Sequence, residues 1–482
     1  MSNKKTTVSR RAFLSSAAIA GTTGALGAGG LLTSCSGGSK SQYTPLRPAG
    51  SYYVPDLPDI AIDGRPLKAA MIGCGSRGTG VATNFMNAAN DVSVVSCADV
   101  FADRMDRFRT ILRDRANNDI PDNMAFLGFD AYKKAIDAPG VDVVLIASPT
   151  IFHPEHVRYA IEQGKHVFCE KPACIDAAGF RVFMTAIRQA RAAGLSIVTG
   201  AQRHHHRGYV ESYKKVQEGY IGRIVGATLY WNQGHFSFRR RVPGAETDME
   251  FMLRDFFSWN WLCGDHIIDQ GVHNIDVFCW FSHLKPVRAI GMGSQLRRLT
   301  GDIYDNHSVD FEFEGGIHVH MMARQIDNCH GRVAEIIQGT HGTWDSLDRQ
   351  FTIRDLDGNI VWQYDQEAAR EQFTQHDPNV LEHVDLINHI RSGRVVNEAE
   401  TMAIASLAGA MARESAYTGQ MTTWDEMTQS DMNLLSFLPD GPHLGNVDMS
   451  KFTVPLPGTA PPWVPTPRPG AGGGAAGNRP AS

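Results

Sequence analysis

The chain has 482 residues, of which 43% are apolar and 20% charged, and its formal net charge is −5. At ~150 residues per domain that is length for two or three domains, with apolar content for large cores. No basic block follows the first few residues, which excludes a nucleic-acid binder working through phosphate contacts.

At the start of the chain, Ser9-Arg10-Arg11-Ala12-Phe13-Leu14 resembles the twin-arginine export motif. Residues 15–32 are small and weakly apolar, with too many Gly, Ser and Thr for a membrane span. Leu32-Thr33-Ser34-Cys35 resembles a lipobox, which predicts a lipid on Cys35 as the sole membrane contact. Residues 1–35 are thus read as a signal and 36–65 as a tether and extended lead-in. The expected location is outside the cytoplasm, as a periplasmic or cell-envelope lipoprotein. The cysteines at 74, 97, 169, 174, 263, 279 and 329 show no Cys-x-x-Cys spacing. Cys97 and Cys169 fall in apolar strand patterns and are expected to be buried.

Residues 67–72 form an apolar strand pattern and 78–89 a helix pattern. A strand over 92–98 ends at Asp99, and a charged helix covers 103–117. Residues 141–147 read as a fully buried strand, followed by a helix over 153–163, a strand over 166–169, a helix over 177–193 and a strand over 196–199. Alternation of apolar strands with helices predicts an α/β Rossmann domain over 66–199, with a doubly wound parallel sheet. Beyond Gly200 come β-rich runs at 224–232, 287–293, 308–313, 317–324 and 332–339, with turn signals such as Glu314-Gly315-Gly316. They predict an α+β domain over 200–440 with a large, mainly antiparallel sheet, and late helices at 380–391 and 398–418. Residues 441–482 are expected to be extended, and disordered from about Val454, where Pro and Gly leave little to bury.

Gly73-Cys74-Gly75-Ser76-Arg77-Gly78 lies between the first strand and the first helix. Glycines at this spacing allow a tight turn, a close approach of backbone to a pyrophosphate and close helix–strand packing, with the pyrophosphate on free N–H groups at the helix start. Asp99 ends the next strand about twenty residues on, where an acid accepts a ribose 2′-OH. It would repel a 2′-phosphate, which favours NAD, while nearby Arg104 leaves NADP open. Two later loops leave strands at their carboxyl ends, where such sheets bind ligands: Ala147-Ser148-Pro149-Thr150-Ile151-Phe152-His153 and Cys169-Glu170-Lys171-Pro172. Lys171 would project into the same crevice, and the Lys-Pro bond makes a rigid turn open to the cis form.

Residues 264–276 read as one helix. Ile268, Val272 and Ile275 make an apolar face, with Asp269, His273, Asp276 and Trp280 on a neighbouring polar face. His204-His205-His206 cannot all point one way, and no zinc-type spacing accompanies them, so no metal site is predicted.

The glycine turn, Pro149…His153 and Glu170-Lys171-Pro172, in this order and spacing, resemble the Gfo/Idh/MocA family of sugar-type oxidoreductases over about residues 66–430. The resemblance implies that Gly73, Gly75, Ser76, Arg77, Gly78, Asp99, Pro149, His153, Glu170 and Lys171 hold a nicotinamide dinucleotide. It also implies that Asp269 and His273 face the nicotinamide with Lys171. Histidine suits removal of a hydroxyl proton near neutrality, and lysine suits a developing alkoxide. His273 is therefore expected as base, Lys171 as its electrostatic partner and Asp269 as ring orienter or hydroxyl ligand, with Lys171 and His273 interchangeable in role. Gln202, Arg203, Trp261, Asp265, His266 and Tyr304 are expected to bind sugar, with Trp231 and Trp259 as further aromatic candidates. A homo-oligomer through the open sheet face is also implied.

The expected activity is oxidation of a sugar or glycoside carbinol by a nicotinamide cofactor. Outside the cytoplasm no large dinucleotide pool exists, so a retained cofactor must be recycled. One sugar could be oxidised while another is reduced, or a glycoside could be cleaved without net redox change through a 3-keto intermediate. A non-catalytic, NAD-containing sugar-binding lipoprotein is the remaining reading.

Overall fold

The computed structural model describes residues 43–236, 239–241, 244 and 246–458. The twin-arginine segment, Cys35 and residues 459–482 lie outside them. Continuous apolar strands build the first sheet: β1 (Leu67–Ile72), β2 (Val92–Asp99), β3 (Ala125–Leu127), β4 (Val143–Ile146), β5 (His166–Cys169) and β6 (Ile197–Thr199). They run parallel in the order β3-β2-β1-β4-β5-β6. Every residue of β4 is buried, as a strand covered on both faces by helices requires. Those helices are α1 (Ser76–Asn87), α2 (Ala102–Ala116), α3 (Ala131–Ile136), α4 (His153–Glu162) and α5 (Ala177–Ala193). The order of chain connection reverses between β1 and β4, which opens a crevice at their carboxyl ends.

The second domain opens with α6 (Arg207–Gln217) and β7 (Ile224–Gln233). Four short helices follow: α7 (Asp248–Arg254), α8 (Asn260–Cys263), α9 (His266–Asp269) and α10 (Val272–Ser282). Then come β8 (Pro286–Ser294), β9 (Asn306–Phe313), β10 (Ile317–Gln325), β11 (Arg332–Gly339), β12 (Gly342–Asp345), β13 (Thr352–Asp355) and β14 (Ile360–Gln363). The chain continues through α11 (Gln366–Gln372), α12 (Pro378–Ser392), α13 (Ala399–Thr418), β15 (Thr422–Thr423) and α14 (Trp424–Gln429). The nine-stranded sheet has the order β14-β13-β12-β11-β7-β10-β9-β8-β15. It is antiparallel except between β7 and β10, which run parallel. The late helices return to the first domain, α12 against α1 and α13 against α5, and so tie the two domains together.

The structure departs from the sequence reading in two places. The helix expected over 264–276 is broken: α9 stops at Asp269 and α10 starts at Val272. Gly271 N donates to His266 O, a wide turn, and a Cβ on Gly271 would collide with the Ile267 carbonyl. Every residue of α10 is buried, so no polar face exists, and Asp276 and Trp280 pack away from the cavity described below. Residues 454–458, expected to be disordered, lie against the body: Tyr304 Oη donates to the Pro455 carbonyl at 2.8 Å, and Gly458 N to the Thr418 carbonyl at 3.0 Å. The lead-in is also tied down, with Tyr53 Oη 2.6 Å from Asp385 Oδ1 and Leu57 and Ala61 in the core.

Candidate active site

The turn after β1 needs its glycines. Gly73 has φ +92°, and a Cβ there would lie 2.7 Å from the Ala147 carbonyl oxygen. A Cβ on Gly78 would collide with the Gly73 carbonyl, whereas Gly75 faces open space with nothing within 4 Å. Thr79 N donates to Gly75 O, so the amides of Ser76, Arg77 and Gly78 precede the first helical bond and are free to meet an anion. This cradle fits a dinucleotide pyrophosphate. Asp99 accepts from Cys74 N at 2.6 Å and Phe101 N at 2.8 Å, which fixes the turn to the end of β2, and burial raises its pKa.

Arg77 and Glu170 line the cavity as partners of each other, at 2.5 Å. His153 is held at both ring nitrogens, by the Pro172 and Ser148 carbonyls at 2.8 Å each, and so joins the loop after β4 to the turn after β5. The Lys171–Pro172 bond is cis.

Lys171 Nζ donates to the Asp269 carbonyl and lies 3.6 Å from Asp269 Oδ1, which brings the end of β5 against α9. His273 enters the same cavity from α10. Burial, then Lys171, Arg203 and Arg77, hold its pKa well below the ordinary histidine value, so the ring is neutral. The expectation that Asp269 orients this ring is not met. The Asp269 carboxylate accepts Gln270 Nε2 at 2.8 Å, and no hydrogen bond joins it to His273. The indole of Trp231 is what lies against the imidazole, with centroids 5.3 Å apart and planes 22° apart.

One cavity of about 1380 Å³ runs from the glycine turn and Asp99 to Lys171, Asp269 and His273. That exceeds the ~300–1,000 Å³ of a site for one drug-sized ligand. Pro149 and Ser76 also line it. So do residues that sequence reasoning missed: Phe236, Leu253, Phe256 and Phe257 from the second domain, and residues 440–442. Arg254 closes the far end. It pairs with Asp103 at 2.7 and 3.0 Å, and its guanidinium lies 3.9 Å from the centre of the Phe101 ring. No motif marked that segment.

None of the six expected sugar-binding residues lines the cavity. Gln202 is half-buried on the turn Gln202–His205. Arg203 is buried against Glu335, with Asn274 Oδ1 at 3.1 Å. Trp261 packs on Phe437 and points its indole N–H at Met252 Sδ, and Trp259 is buried against Phe251 and Phe452. Tyr304 is spent on Pro455.

Asp265 is fully buried and accepts from His307 Nε2 at 3.0 Å, Tyr417 Oη at 2.5 Å and Tyr304 N at 2.9 Å. Burial alone would raise its pKa, but His307 and His266 hold it well below the usual range. Ligating atoms of Asp265, His266 and His307 do lie within 4.8 Å of one another. The near ring nitrogens, however, are turned to Asp265 and the Tyr304 carbonyl, while the remote ones have no partner. That pattern solvates a buried carboxylate and lacks the outer hydrogen bonds that orient metal-bound imidazoles. The run 204–206 diverges: His204 meets Asp276 and Glu398, His205 meets Asp385, and His206 Nδ1 accepts Gly208 N.

Residues 67–196 match the family model described as "Oxidoreductase family, NAD-binding Rossmann fold", and residues 209–345 that described as "GFO/IDH/MocA C-terminal domain". A "Glycosyl hydrolase family 109 protein" of Streptomyces coelicolor is 32% identical over 170 residues, covering 35% of this chain and 34% of the relative. A "D-glucoside 3-dehydrogenase" of Escherichia coli is 25% identical over 234 residues, 48% of this chain and 59% of the relative. The chain thus spans between about a third and three-fifths of these curated relatives, 34% and 59%. Among solved structures, scyllo-inositol dehydrogenase from Lactobacillus casei with bound NAD(H) and scyllo-inositol shares the fold at TM-score 0.55 and 19% identity, over 74% of this chain and 99% of that one.

Proposed function

The chain belongs to the Gfo/Idh/MocA oxidoreductase family, and we propose that it oxidises a secondary carbinol of a sugar or glycoside with a tightly held NAD. The observation that carries this reading is the convergence of Lys171, Asp269 and His273, from two domains, on the cavity that also holds the open glycine cradle. The bound dinucleotide supplies the hydride acceptor. His273, neutral and buried, takes the hydroxyl proton. Lys171 steadies the oxygen as negative charge develops on it, and its bond to the Asp269 carbonyl sets its direction. With its carboxylate on Gln270, Asp269 is left as a hydroxyl ligand rather than a ring orienter.

A second reading is redox-neutral glycoside cleavage. It is favoured by the 32% likeness to a relative named as a family 109 glycosyl hydrolase. A ketone at C3, made by passing hydride to the dinucleotide that the glycine turn would hold, would acidify the C2 proton; a base removes it and the glycosidic oxygen leaves as the alcohol; water then adds, and return of the same hydride would restore the carbinol. Export through the twin-arginine segment and a lipid at Cys35 would place the protein away from any dinucleotide pool, consistent with either closed cycle. Pairing through the open face of the nine-stranded sheet is the expected oligomer contact.

Protein as purified should carry dinucleotide detectable by mass and should turn over sugars or glycosides without added NAD. In deuterated water, cleavage through the ketone places deuterium at C2, and simple oxidation does not. Strict dependence on stoichiometric added NAD, with NADH released, would defeat both closed cycles.

A further inference from the structure

We propose that Trp231 is the positioning residue of this centre. Its indole, braced by Arg203, holds the His273 imidazole by offset parallel stacking in the place where a carboxylate hydrogen bond would otherwise hold it. The proposal rests on the reading of His273 as proton acceptor.

Three observations lead to it. First, among the described residues no side chain or carbonyl hydrogen-bonds the His273 ring, although the residue is buried on a helix with no solvent face. The acids nearest in sequence are engaged elsewhere, Asp269 with Gln270 and Lys171, and Asp276 with His204. Second, the Trp231 indole lies nearly parallel to the imidazole and is itself fixed, its N–H donating to Gln233 Oε1 at 2.9 Å. The Arg203 guanidinium is 5.5 Å from the indole centre and is pinned by Glu335 and Asn274. Third, the backbone beneath both rings is locked. Asn274, the residue after His273, donates to the Tyr230 carbonyl of β7 at 3.1 Å and the Ala334 carbonyl of β11 at 3.0 Å. Tyr230 precedes Trp231, so one buried amide sets the spacing of the two rings.

Stacking differs from a hydrogen bond in what it leaves free. Both imidazole nitrogens stay available to the cavity, one to take a proton and the other to meet a hydroxyl or water. The charged groups facing the ring are Lys171 from the end of β5, Arg203 from the turn before α6, Arg77 from α1, and His204. With no carboxylate bond to offset these cations, a ring shielded from water by the indole stays neutral, with an unprotonated nitrogen open to the cavity.

The test titrates His273 by NMR in the protein as purified, labelled with 15N-histidine, its signal assigned by absence in His273→Asn. Trp231→Leu should raise the midpoint toward the ordinary histidine value, and Trp231→Phe should leave it near wild type. With a turned-over glycoside, Trp231→Leu should lower kcat by roughly tenfold at little change in KM, and Trp231→Phe should recover most of that loss. Trp231→Met replaces the leucine variant if that one does not fold. An unmoved midpoint in the leucine or methionine variant overturns the proposal, as does a phenylalanine variant shifted equally. If wild type turns over no sugar or glycoside, the functional reading fails while the titration still decides the stacking claim.

Discussion

His204 and His273 are both buried, yet their surroundings push them in opposite directions. Burial alone would lower His204, but Asp276 and Glu398, each 2.8 Å from a ring nitrogen, raise it to about 10. His273 has no such carboxylate, and burial with Lys171, Arg203, Arg77 and His204 drives it far down. Burial makes charge expensive, and the placement of acids decides whether it is carried. Asp276 lies three residues after His273 on α10 and turns to His204. The helix thus gives its carboxylate to a histidine outside the cavity, shared with Glu398 at the start of α13, and leaves the cavity histidine bare.

The largest expected effect separates the chemical roles of the two. Lys171→Ala and His273→Asn should each lower turnover by roughly 10²–10⁴-fold with bound dinucleotide retained. Single-turnover reduction of the bound cofactor by substrate measures this, and loss of the dinucleotide would assign these residues to cofactor binding instead. His204→Gln should cost about 3–5 kcal/mol of stability in urea unfolding, because it strands Asp276 and Glu398 without their cation. Wild-type stability in that variant would remove the contrast.

The pH dependences should differ in sign. With a folded pKa of about 10 against an ordinary 6.5, the His204 contribution is full below pH 6.5 and fades as pH rises toward 10. The stability gap between wild type and His204→Gln should narrow over that window. His273 stays neutral when folded but takes a proton when unfolded below about pH 6.5, so it lowers stability in acid, and His273→Asn should flatten that acid limb. The smallest effect belongs to the half-exposed Arg254–Asp103 pair. Arg254→Ala should speed loss of labelled dinucleotide by about fivefold at most.

The first domain was legible because its signals are local. Continuous apolar runs marked β1, β4 and β5, and Gly73-Cys74-Gly75-Ser76-Arg77-Gly78 marked the cradle, since Gly73 and Gly78 answer to backbone close by in the chain or in the loop after the neighbouring strand, and Gly75 to open space. Lys171, Asp269 and His273 were singled out by the family resemblance. What spacing could not give was which partner each side chain takes. Asp265, His266 and Tyr304 resemble ligands on paper, but His307 and Tyr417, far along the chain, enclose them. The break at Gly271 was hidden because it answers to Met321 on β10 as well as to Ile267. Phe236, Phe256 and Phe257 carry no motif at all; their role comes from where their segment is draped.

The all-round burial of α10 bears on how the protein can diversify. A helix with no solvent face tolerates few replacements, so His273, Asn274 and Asp276 form a fixed core module. The cavity wall contributed by Phe236 and residues 253–257 sits on short helices and loops in which Phe236, Arg254, Phe256 and Phe257 are only half-buried. Altered substrate preference, in nature or by directed evolution, should therefore accumulate in that wall while the reacting groups behind it stay unchanged.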